Sequence, residues 1–127
     1  MNAPLKLKPI DDIRSYIEAL DAHGELHRVT TEVDWKFELC HVAKVNEEQK
    51  GPGLLFENVK GYDIPVFTSA FTSARRLAIA LEQDPSLSMC QLSKKWMELT
   101  TKKMIKPVFV DNPLVKENII SGSAVDI

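Results

Sequence analysis

A Gly51-Pro52-Gly53 break followed by two β-prone runs constrains this chain more than any other feature. LLFENV at 54–59 and IPVFTS at 64–69 are separated by Lys60, Gly61, Tyr62 and Asp63. That spacing predicts a hairpin with a four-residue loop in which Gly61 takes any positive φ. Pro65 removes one ladder donor, so the second strand belongs at an edge or a bulge. The glycines at 51 and 53 are not a dinucleotide fingerprint, because no third glycine follows and a strand comes next where a helix would be needed.

Around this hairpin the periodicity is helical. Asp11 or Asp12 caps a first helix whose stripe is Ile13, Tyr16, Ile17 and Leu20, and Gly24 ends it. ELHRVTTEV at 25–33 reads as a strand, with Leu26 out of phase with Val29, Thr31 and Val33; a bulge or two short pieces is expected. Asp34 caps a second helix over 35–49 with Trp35, Leu39, Val42 and Ala43 inward. Thr72 or Ser73 caps a third, with Leu77, Ala80 and Leu81 on one face, ended by Asp84 and Pro85. A fourth, over 88–103, carries Met89, Leu92, Trp96 and Leu99 on one stripe. PVFVDN and VKENII read as short extended pieces, the second without a strand to pair with.

The order helix, strand, helix, hairpin, helix, helix, strand predicts an α+β fold, a small mostly antiparallel sheet with helices packed on one face. Residues 1–10 read as a mobile lead-in, 11–110 as the α+β domain, and 111–127 as a linker or the start of a further domain. A chain of 127 residues that is 44% hydrophobic suits one globular core. Its net charge of −2 gives no global field for nucleic acid or an anionic membrane. No apolar run nears the ~20 residues that span a bilayer, and MNAPLKLKPI lacks the apolar centre of a secretory signal. Cys40 and Cys90 make no disulfide framework and read as small hydrophobes in a reducing cytoplasm.

Candidate chemistry is sparse. His23, His27 and His41 are scattered, and Cys40 and His41 are adjacent, so they cannot share a helix face as metal ligands. Cys40 has no cation beside it to activate the thiol. Asp11–Asp12 and Glu47–Glu48 sit at helix ends, poor places for an acid–base couple. Lys94, Lys95, Lys102, Lys103 and Lys106 read as a solvated helix end. Arg75 and Arg76 fall in a first helical turn, where positive charge opposes the dipole by about 0.3–1 kcal/mol each; docking onto an acidic surface of another domain is the expectation they raise.

LLFENVKGYDIPV, together with DDIRSYIEALDAHGELHRVTTEVDW, SARRLAIAL and VKENIISGSAVDI in that order, resembles the N-terminal domain of the UbiD-like decarboxylases. The resemblance covers about 11–127. It implies a domain packed on a central flavin-binding barrel, in enzymes that (de)carboxylate aromatic or α,β-unsaturated acids. It further implies prenylated FMN, with a divalent metal such as Mn and potassium at the cofactor phosphate, and a homo-oligomer in the full-length form. The family's metal-binding and catalytic residues belong to the central domain and match no position here, so no catalytic, cofactor-binding or metal residue is assigned. Glu57 and Asn58 are read as strand and turn hydrogen-bonding groups. The expectation is a front domain or fragment, inactive alone, whose partners are the remaining domains. The alternative is a free-standing, non-catalytic interaction subunit of a (de)carboxylase complex.

Overall fold

The computed structural model describes residues 9–102 and 105–125. Residues 1–8 of the expected 1–10 lead-in, Lys103, and the last two residues of VKENIISGSAVDI lie outside them. The first helix, α1 (Ile13–Ala22), starts where the sequence placed it. The extended Asp12 accepts the Ser15 N–H at 2.7 Å, and Ser15 Oγ accepts the Asp12 N–H at 3.1 Å, so two orphan donors are satisfied reciprocally. Gly24, at φ 68°, turns the chain out of the helix. Tyr16, Ala19 and Leu20 are buried while Ile13 stays exposed, so the inward face is rotated towards Ala19.

The 25–33 segment forms two pieces: β1 (Leu26–Val29), then a single parallel bridge from Val33 to Val59. Helix α2 (Glu38–Glu48) begins later than its sequence pattern, because residues 34–37 form a turn instead. In that turn the Asp34 carboxylate accepts the Lys36 N–H at 2.9 Å, and Phe37 holds a left-handed φ of 67°. Strand β2 (Gly53–Phe56) follows. Because α2 separates β1 from β2, the chain must cross back before pairing, and the pair is parallel, Leu26 opposite Gly53 and Val29 opposite Phe56. Strand β3 (Val66–Thr68) returns antiparallel, with Leu55 opposite Phe67. The α+β class holds, but the three-stranded sheet is mixed, in the order β1-β2-β3, with one parallel and one antiparallel pair. The hairpin is real and β3, preceded by Pro65, lies at the edge. Val59 and Tyr62 bridge at its tip, where Gly61 takes φ 81°.

Helices cover both faces of the sheet, not one. Leu54 and Phe56 of β2 pack with Val33, Val59 and Leu39 of α2. On the other face Tyr16, Ala19 and Leu20 pack with Ile79, Leu26 and Phe67. All four residues of β2 are buried, as expected of a strand covered on both sides.

Helix α3 (Ala74–Ala80) is capped by Ser73, whose Oγ accepts the Arg76 N–H at 3.1 Å. It buries Arg76, Ala78 and Ile79, one position off the predicted face. Helix α4 (Met89–Lys102) buries only Leu92 of its predicted stripe. PVFVDN forms no strand, and the VKENII region holds a 3-10 turn at Leu114–Lys116, followed by another at Gly122–Ala124. A strand needs a ladder partner, and among the described residues none of β1–β3 pairs with this segment.

Candidate functional site

The most structured polar site is a clamp around Glu25. Arg76 is 2% exposed. Its Nη1 donates to Glu25 Oε2 at 3.1 Å and to the Gly51 carbonyl at 3.0 Å, and its Nη2 donates to Thr72 Oγ1. Arg75 Nε meets the other Glu25 oxygen at 2.8 Å. The charge that opposes the α3 dipole is thus met inside the domain by Glu25, at the start of β1. This removes the motive for docking the arginine pair onto another domain. The clamp ties together the β1 entry, the Gly51 loop and α3.

Tyr16 braces the same region. Its hydroxyl lies 2.7 Å from the Ala70 carbonyl and 3.1 Å from that of Arg76, and its ring stacks on Phe71. Burial pushes its phenol up to about 12, with Arg76 acting in the opposite sense.

The two loop glycines serve packing. A Cβ on Gly51 would sit 2.0 Å from Asn46 Oδ1, whose amide Nδ2 donates to the Pro52 carbonyl at 2.8 Å. A Cβ on Gly53 would lie 3.1 Å from the Phe67 ring. Glu57 and Asn58 hold strands: Glu57 Oε1 accepts from Arg28 at 2.6 Å, and the Asn58 carbonyl accepts the Val33 N–H at 3.0 Å.

The histidines do not converge. His23 caps α1, its Nδ1 2.8 Å from the Ala19 carbonyl. His27 and His41 line an open apolar groove of about 490 Å³, floored by Val29, Val42, Val45 and Leu54. His41 Nδ1 lies 2.7 Å from the Phe37 carbonyl. Among the described residues no group of three or more His, Cys, Asp or Glu side chains could hold a metal ion. Cys40 and Cys90 are exposed free thiols, not buried hydrophobes. Cys40 follows the buried Leu39 of α2 directly and Cys90 lies two residues before the buried Leu92 of α4, so both fall outside the inward face. Lys94 and Lys95 are solvent-exposed, Lys95 lying 3.8 Å from Glu98.

A second feature was only half legible. Met89, Trp96, Met97 and Leu99 of α4 are exposed, as are Phe109, Leu114 and Ile119 beyond it. The signal was the α4 stripe; periodicity alone does not tell how little of the described domain covers it. No helix among the described residues is long and apolar enough to cross a membrane.

The described residues thus form a mixed three-stranded sheet with helices on both faces and a last helix, α4, that buries Leu92 and leaves Met89, Trp96 and Leu99 exposed. The family model for the N-terminal domain of 3-octaprenyl-4-hydroxybenzoate carboxy-lyase matches residues 17–96, and the chain belongs to this UbiD N-terminal domain family. It is 36% identical over 97 residues to an uncharacterized protein, sll0936, of Synechocystis sp., covering 76% of this chain and 19% of that protein. The vanillic acid decarboxylase of Sedimentibacter hydroxybenzoicus (ShVdcCD) in its open form, with truncated ShVdcD, superposes with a TM-score of 0.70 at 26% identity. That match covers 75% of this chain and 21% of the decarboxylase chain. The closed form of the same enzyme gives 0.64, also at 26%, over 72% and 21%. The chain therefore spans about a fifth of the length of these relatives.

Proposed function

We propose that this chain is the front domain of a UbiD-like, prenylated-FMN-dependent (de)carboxylase acting on aromatic, phenolic or unsaturated carboxylic acids. The observation that carries this reading is the family match over residues 17–96 joined to the fold likeness with a decarboxylase chain of which the match covers 21%. In this reading residues 11–110 form the domain, and 111–127 lead into the flavin-binding domain. The remaining domains are its partners, the full-length enzyme is a homo-oligomer, and the two exposed thiols suit a reducing cytoplasm.

The loop at Gly51 and Gly53 does not fit a cofactor phosphate. A Cβ on Gly51 would meet Asn46 and one on Gly53 would meet Phe67, so side chains already occupy the space beside this loop, and Arg76 is committed to Glu25. No step of the chemistry is therefore assigned to this chain. Its role is to pack against the catalytic body and shape one side of the substrate cleft.

The test has two parts. The native polypeptide from the source should have an intact mass several times 14.3 kDa. The purified 127-residue chain, given prenylated FMN, Mn²⁺ and K⁺, should release no CO₂ from vanillate or 4-hydroxybenzoate. Turnover by the isolated chain would overturn the reading. A native mass near 14.3 kDa would favour the free-standing subunit, which the uncovered α4 face also suits.

A further inference from the structure

Along α4, Met89, Leu92, Trp96 and Leu99 follow at spacings of three, four and three, the a and d positions of two heptads. Leu92 is 1% exposed and anchors the seam in the domain, while Met89, Trp96 and Leu99 are 50%, 54% and 39% exposed. The seam is therefore anchored in the core at Leu92 alone and is about half exposed on either side of it among the described residues. Its two flanks differ. Lys95, and Lys102 by spacing, occupy the g positions; Ser93 and Thr100 occupy the e positions. The Ser93 and Thr100 hydroxyls each donate to a carbonyl one turn back in α4, Met89 and Trp96, both at 2.9 Å. That flank presents little bulk or free polarity, so a neighbour can approach closely. The opposite flank is basic.

This asymmetry disfavours a second copy. An antiparallel pair of α4 helices would set lysine flank against lysine flank, and a parallel pair would set lysines against uncharged Ser93 and Thr100. We propose that α4 is the docking seam for an amphipathic helix with apolar a and d positions and acidic flanks. The helix is supplied by the catalytic remainder of the polypeptide that the longer relatives carry. The inference rests on the reading of this chain as a front domain, and it adds which face docks and what chemistry recognises it.

The probe is a synthetic three-heptad peptide with Leu at a and d and Glu at e and g, compared with the same peptide carrying Lys in place of Glu. Binding to the 127-residue chain is read by calorimetry, and by Trp96 emission in a Trp35→Phe variant. The acidic peptide should bind roughly tenfold more tightly at low salt and shift Trp96 emission to shorter wavelength. Lys95→Glu combined with Lys102→Glu should reverse the preference, and Leu99→Asp should abolish binding while leaving the fold intact. Equal binding of the two peptides, no binding of either, or an emission shift only with phosphatidylglycerol vesicles would overturn the proposal. The intact-mass measurement decides the front-domain reading independently of any of these outcomes.

Discussion

Arg76 and Glu25 meet across the domain, Nη1 3.1 Å from Oε2, with the arginine 2% exposed. A guanidinium so enclosed is tolerable only because a carboxylate and a carbonyl face it. Glu25 is also shared with Arg75, at 2.8 Å, so the carboxylate keeps a cation if Arg76 is removed, whereas the buried arginine meets no second anion among the described residues.

Glu25→Ala should therefore cost about 3–5 kcal/mol, the usual penalty for stranding a buried charge. Arg76→Met should cost less, on the order of 1–3 kcal/mol, since Glu25 stays paired with Arg75. Urea unfolding of both variants measures the order. The reverse order would show that Arg76 stabilises by packing and hydrogen bonds, not by balancing charge.

Tyr16 contributes to stability at alkaline pH. Its folded value is raised to about 12 by burial, against about 10 in an unfolded chain. The neutral phenol is the form the fold favours, so this contribution is complete below pH 10 and is lost as pH rises from 10 through 12. Tyr16→Phe should lose about 1–2 kcal/mol at pH 8 through its hydroxyl bond. The gap between wild type and variant should then close as the pH approaches 12. A gap that stays constant would rule out this linkage.

At the acid end, Asp12 is held below the ordinary carboxylate value, first by the Ser15 N–H it accepts and then by the Ser15 hydroxyl. Asp34 and Asp84 are lowered in the same way, chiefly by the Lys36 and Ser86 N–H groups. Depressed carboxylates stabilise above their unfolded value and lose that effect as pH falls through the folded one. Melting temperature should decline below about pH 4. Asp12→Asn keeps a capping oxygen and removes the titration, so its acid limb should be flatter. An unchanged acid limb would assign the decline to other groups.

Cys40 and Cys90 are exposed and unpaired. Both should react with a disulfide reagent such as Ellman's without denaturant, and single Cys→Ser variants should each remove one equivalent with little loss of stability. A thiol that reacts only in urea would place that cysteine inside the fold.

Much of the fold was written in local chemistry. The Asp12 and Ser73 caps, the Gly24 stop and the Gly61 turn depend on neighbouring residues alone, and each falls where the sequence puts it. What depended on distant partners was harder to read. GLLF is a continuous apolar run, the pattern of a strand covered on both faces, but beside a hairpin it reads as one half of an antiparallel pair. The parallel partner lies beyond α2. Arg76 showed itself only as a misplaced charge, because Glu25 is far away in sequence. Absent partners misled in the other direction: the α4 stripe and VKENII have apolar patterns that within this domain find little to pack against.

The position of β2 between unlike neighbours has a kinetic consequence. Its pairing with β3 closes a short loop through the Gly61 turn, whereas its pairing with β1 must gather in the whole of α2. Loop closure costs more entropy as the loop lengthens, and such contacts tend to form later. The expected transition state has Leu55 already against Phe67, with β1 and α1 arriving afterwards. Substitutions in the hairpin should slow refolding, and conservative changes at Leu20 or Leu26 should mainly speed unfolding.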